Sequence, residues 1–209
     1  MFARAVNEDA TIKAAMKDFI LYKIDCEKGE GIELAKKYQI KGYPTYVAMN
    51  SKGEITDSWV GYSGPESWSQ TALMAAADPR TIPEKKMAYE AEPTADLAVC
   101  LANNASTSYD FAGAVGYYRK ARELNPESTA DYTHQILTFM YYGARGGAFT
   151  FDEVEKEAKL ALAKTDPTPE QKVELALMLR NMARQSGESE RAIPYIEAAL
   201  KATEGTTDA

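Results

Sequence analysis

Few residues in this chain can do chemistry beyond charge and packing: two cysteines, Cys26 and Cys100, and a single histidine, His134. Thiol–disulfide exchange needs a thiolate of lowered pKa and a second sulfur within reach to release the mixed disulfide. Cys26 and Cys100 lie far apart in sequence, form no CxxC and have no zinc-ligand spacing. Neither a redox pair, a disulfide framework nor a metal centre is therefore expected. Both read as small buried hydrophobes, Cys100 in a helix among Leu97, Val99 and Leu101. His134, in Tyr132-Thr133-His134-Gln135, has no second ligand or nucleophile nearby and is expected to face solvent rather than act as a base. Tyr117, Tyr118, Phe139, Tyr141, Tyr142, Phe149 and Phe151 recur at helical spacing and read mainly as core. No cofactor is called for.

Charge narrows the partners. The chain carries 24 basic and 31 acidic side chains, a net charge of −7; residues 1–80 hold 10 and 11 of them, residues 81–209 hold 14 and 20. The second part repels polyphosphate, and no Lys/Arg stripe with interleaved aromatics reverses that sign, so nucleic acid is not expected as a partner. A composition of 45% hydrophobic and 26% charged residues is that of an ordinary globular protein. No apolar run approaches the roughly 18 residues of a membrane span. The opening residues, broken by Arg4 and Asn7-Glu8-Asp9, lack the apolar core of a signal peptide. A length of 209 residues allows one large domain or two small ones.

The elements that would position any site fall into two styles. Phe2, Val6, Ile12 and Met16 predict a helix over residues 2–16, bent or split at Asn7-Glu8-Asp9. The run FILYKID, residues 19–25, predicts a buried strand. Leu34, Ala35 and Tyr38 place an apolar face on a short helix, which Tyr43-Pro44 stops. TYVAM and ITDSWVG, joined by Asn50-Ser51-Lys52-Gly53, predict an antiparallel hairpin. Pro65 opens a helix running to about residue 76. Prolines 79 and 83 mark a linker over residues 78–84, and beyond it six helices are expected near 85–104, 110–124, 129–144, 151–164, 169–186 and 189–203.

These six read as three hairpins. Ala114, Tyr118 and Ala121 align with Ala192, Ile196 and Ala199, and with Val154, Ala158 and Ala161 in the middle copy. Small side chains at the outer positions let neighbouring helices approach closely. With Leu101, Ala102 and Pro126 also at matching spacing, the segment resembles tetratricopeptide repeats of lengthened period. The resemblance implies a partner protein on the helical part, and a non-catalytic TPR-type adaptor is the alternative reading of the chain.

The first part, from the strand at residues 19–25 through Gly42-Tyr43-Pro44-Thr45, the hairpin and Gly61, resembles the thioredoxin-like family. That resemblance implies a cis Tyr43-Pro44 bond, and a rim of Tyr43, Pro44 and Gly61 against which an extended thiol or disulfide polypeptide substrate lies. It also implies that Lys23 faces a buried acid on a strand not present here. The family's central strand and its WCxxC motif are missing. The chain is therefore expected to be the C-terminal part of a thiol–disulfide oxidoreductase, without redox turnover of its own. The expected fold is α/β followed by all-α: a truncated thioredoxin-like domain (1–77), a linker (78–84) and a TPR-like helical array (85–205). In it the strand at 19–25 has an open edge unless a neighbour covers it.

Overall fold

A computed structural model describes residues 8–126, 132–164 and 167–204. The described residues are 67% helical, with one two-stranded antiparallel sheet among them. It divides into two compact units, residues 1–129 and 130–209.

In the first unit, α1 (Ala10–Ala15) begins where the Asp9 carboxylate accepts hydrogen bonds from the Thr11 and Ile12 amides, and a short 3-10 turn (Met16–Asp18) ends it. The acidic break read in the sequence is thus a helix cap; Phe2 and Val6 lie outside the described residues. Helix α2 (Glu30–Lys37) follows, with Glu30 and Glu33 in its first turn and Lys36 and Lys37 in its last, the order a helix dipole favours. Strands β1 (Thr45–Met49) and β2 (Ile55–Val60) pair with Thr45 opposite Val60, Tyr46 opposite Trp59 and Ala48 opposite Asp57, and a bulge at Ala48/Met49 leads into the turn. Helix α3 (Pro65–Ala77) then packs against α1. Ile12, Ala15, Ala48, Trp59, Trp68, Ala72 and Ala75 form one buried cluster, in which the Tyr46, Trp59 and Trp68 rings lie 5.3 to 6.1 Å apart.

The run at residues 19–25 is not a buried strand. It has no ladder partner, Ile20 is 99% and Tyr22 78% exposed, and only Phe19 packs against the aromatic cluster. An apolar, β-branched stretch becomes a strand only beside another backbone; without one, its amides and carbonyls turn to water.

The sequence places a linker at residues 78–84, but the two compact units meet at 129/130. Only residues 78–81 are non-helical there: Thr81 caps α4 (Ile82–Ala91) in a capping box with Glu84. The helix expected over 85–104 is two helices, because Pro93 lacks the amide that would continue α4 and the Thr94 hydroxyl caps α5 (Ala95–Thr107). Helix α6 (Phe111–Leu124) completes the unit, with α5 packed against β2, α4 and α6.

The second unit holds α7 (Tyr132–Ala144), α8 (Phe151–Lys164), α9 (Pro169–Ser186), a 3-10 turn (Ser189–Ala192) and α10 (Ile193–Thr203), each helix packed on the next. Ala114, Tyr118, Ala121, Val154, Ala158, Ala161, Ala192 and Ala199 are buried, as their spacing requires, while Ile196 of the same pattern is half-buried. No helix among the described residues is long and apolar enough to cross a membrane.

Trp68→Ala empties the centre of the aromatic cluster and is expected to cost the first unit about 3–5 kcal/mol. Urea unfolding followed by the emission of Trp59, the one remaining tryptophan, measures it.

Candidate functional site

The hairpin has two outer edges, and they are treated differently. Gly61 N–H donates to the Pro44 carbonyl at 2.8 Å. Antiparallel bonding alternates, so Pro44, Tyr46 and Ala48 point their backbone groups at β2, while Tyr43, Thr45 and Val47 point theirs outward. On β2 the outward groups belong to Thr56, Ser58 and Val60, and the Thr56 carbonyl and the Ser58 amide are held by side chains. Lys85 Nζ donates to the Thr56 carbonyl at 2.8 Å, and the Ser58 amide donates to Asp57 Oδ1 at 2.7 Å.

Lys85, from the first turns of α4, is 1% exposed and Asp57 2%. Its ammonium lies 3.8 Å from Asp57 Oδ2, so the carbonyl is its direct hydrogen-bond partner and the carboxylate its counter-charge. The Cys100 thiol of α5 lies beside Asp57. Beside them, Asn104 Nδ2 donates to Ser58 Oγ at 2.8 Å and Thr107 Oγ1 lies 3.3 Å from the same hydroxyl. Burial above all pushes the Asp57 carboxyl above its ordinary range, against the opposing pull of Lys85. Burial, followed by the Asp57 charge, pushes the Cys100 thiol up to about 12. At neutral pH Cys100 is a thiol and no nucleophile.

Among the described residues the outer edge of β1 has no strand beside it, and the Tyr43 amide and carbonyl have no backbone hydrogen-bond partner. The Tyr43–Pro44 bond is cis. Tyr43 is 60% exposed and Pro44 is exposed. Gly61 holds φ at +90°, a conformation side chains resist, and the space where a Cβ would project is open. The structure therefore brings Tyr43, Pro44 and Gly61 to one end of the hairpin. Lys23 does not join them: it is exposed, on the coil at residues 19–25.

Sequence reading missed Asp57 and Lys85. A lysine four residues after a helix cap looks like any solvated lysine; the one available signal was Asp57 inside a β-rich run. Cys26 is half-buried in the turn that follows Asp25, away from any second thiol, and Cys100 is buried as expected. His134 lies partly exposed with Nδ1 3.8 Å from Glu174 Oε2. Of the aromatic group, Tyr118 and Phe151 are buried, whereas Tyr142 is 45% exposed. In the second unit, Arg191 binds Asp152 and Glu155 at 2.7 Å and Glu188 at 2.9 Å while covering the Phe151 ring, a cluster that ties α8 to the turn before α10. No group of His, Cys, Asp and Glu among the described residues is arranged to hold a metal. Comparison of the chain with protein-family models, with curated proteins and with solved structures finds no match.

Lys85→Met leaves a buried carboxylate without its cation and a carbonyl without its donor, and is expected to cost about 3–5 kcal/mol at pH 8. The folded pKa of Asp57 already lies above its unfolded value. Its stabilising contribution is thus complete below the ordinary carboxylate range and is lost as pH rises through the folded value. Removing Lys85 raises that value further, so the penalty shrinks at pH 5; urea titrations at both pH values check the sign. An aromatic disulfide reagent is expected to titrate one thiol in the folded chain, at Cys26, and the second only in denaturant, with mass spectrometry assigning the sites.

Proposed function

We propose that this chain is the polypeptide-holding part of a thioredoxin-type thiol–disulfide oxidoreductase, carrying TPR-like helical hairpins that engage a partner protein, and that by itself it binds without redox turnover. The observation that carries the reading is the outward row of backbone groups along β1, starting at exposed Tyr43 and running through Thr45 and Val47. An extended polypeptide pairs with such a row through main-chain hydrogen bonds, which need no particular side chains, as suits a substrate class defined by its cysteines rather than its sequence. On the other strand Lys85 and Asp57 already occupy the Thr56 carbonyl and the Ser58 amide, which leaves β1 the freer edge for docking.

Exchange itself requires an attacking thiolate and a resolving thiol. Cys100, buried and with its thiol pushed up, supplies neither, and Cys26 has no partner cysteine near it. The reacting sulfurs belong to another part of the parent enzyme, and what these residues contribute is orientation of the polypeptide. The alanine-lined helix contacts within each unit support the second part of the reading, since closely packed helical hairpins of this kind offer a face to a partner.

Fluorescence anisotropy of a labelled insulin B chain with alkylated cysteines separates binding from chemistry. Val47→Pro removes one outward amide and no ladder bond, a substitution edge strands accept. The wild-type chain is expected to bind, and the variant to bind about tenfold more weakly, the worth of one hydrogen bond, with an unchanged unfolding midpoint. No binding by the wild type, or equal binding by the variant, would overturn the reading.

A further inference from the structure

The loop that presents Tyr43 is held from the helical side of the first unit. Tyr109, in the turn between α5 and α6, donates its hydroxyl to the Lys41 carbonyl at 2.6 Å. Lys41 replies: its ammonium donates to the Ser108 carbonyl at 2.9 Å and lies 5.7 Å from the centre of the Tyr109 ring. The ring stacks on Phe111 at 5.2 Å. Between the two segments sits Gly42, where a Cβ would come within 2.9 Å of the Tyr109 hydroxyl and 3.4 Å of Val60 Cγ2. Only a glycine lets the loop lie this close to the phenol.

The turn that carries Tyr109 is well determined. The Ser108, Tyr109 and Asp110 amides bond back to the carbonyls at the end of α5, and Asp110 caps α6 through the Gly113 amide. Tyr109 itself takes φ +64°, a left-handed conformation uncommon for an aromatic residue. Such a backbone persists where surrounding contacts over-determine it, and here it aims the phenol at the loop.

We propose that Tyr109 is a positioning residue for polypeptide binding: it fixes Lys41 and Gly42, and through them sets the direction in which the Tyr43 amide and carbonyl face. This rests on the reading of β1 as the polypeptide-binding edge. It makes the first helical hairpin part of the binding apparatus, where the sequence placed it in a separate domain.

The test uses the full chain and the same alkylated insulin B chain. Tyr109→Phe removes the hydroxyl but keeps the stack on Phe111, and is expected to weaken binding about fivefold, a typical net hydrogen bond, with the unfolding midpoint unmoved. Gly42→Ala, which pushes the phenol away, is expected to weaken binding about tenfold. In the double variant the alanine methyl meets no hydroxyl, so binding is expected within about twofold of Tyr109→Phe alone rather than at the product of the two losses. That rescue is what a general loss of stability does not produce. Single variants that bind as wild type, or losses that multiply, overturn the role of Tyr109 while Val47→Pro still reports on the edge. Wild-type chain that binds nothing removes the reading and this inference together. Where Gly42→Ala fails to fold, Tyr109→Phe decides.

Discussion

A two-stranded sheet exposes a row of backbone donors and acceptors on each side, and this protein engages one of them with a buried ammonium. Lys85 reaches from α4 to the Thr56 carbonyl, and Asp57 turns its own carboxylate onto the Ser58 amide. An ammonium and a carboxylate taken out of water are tolerable only with such partners. The pair therefore dictates how close α4 and α5 lie to β2, and so where the α5–α6 turn falls relative to the loop ahead of β1. The open row on β1 has its significance because its counterpart is partly taken up by Lys85 and Asp57.

Two different surfaces hold the hairpin in place. Tyr46, Trp59 and Trp68 join it to α1 and α3 through an aromatic cluster, a contact driven by area removed from water. Asn104 and Thr107 join it to α5 through polar contacts to the Ser58 hydroxyl at 2.8 and 3.3 Å, which give little net stability but favour one register. The first contact makes the unit stable and the second aligns strand and helix. The coil at residues 19–25 lies outside both; its apolar side chains stay in solvent because no neighbouring backbone is available to pair with.

What was legible in the sequence follows from range. The hairpin was readable because alternation, a turn composition and a stopping proline act within a few residues, and the helix positions marked by Ala114, Ala121, Ala158 and Ala199 because their period is local. The Tyr43–Pro44 bond is cis, as expected at that position. The break at Pro93 was just as local and was overlooked beneath the strong helical pattern on either side. The polar part of the site was not legible: Lys85 meets Thr56 across 29 residues and Tyr109 meets Lys41 across 68. No composition or period links residues at that distance.

The amino-acid order alone determined the hairpin, the ends of most helices and the absence of a thiol pair, since each depends on side-chain type and near-neighbour geometry. Only the tertiary structure decided that the run at 19–25 stays unpaired, that a lysine is buried against one sheet edge, and that the first helices belong with the hairpin. Pairing, burial and docking depend on which surfaces meet, and that is a property of the folded chain as a whole.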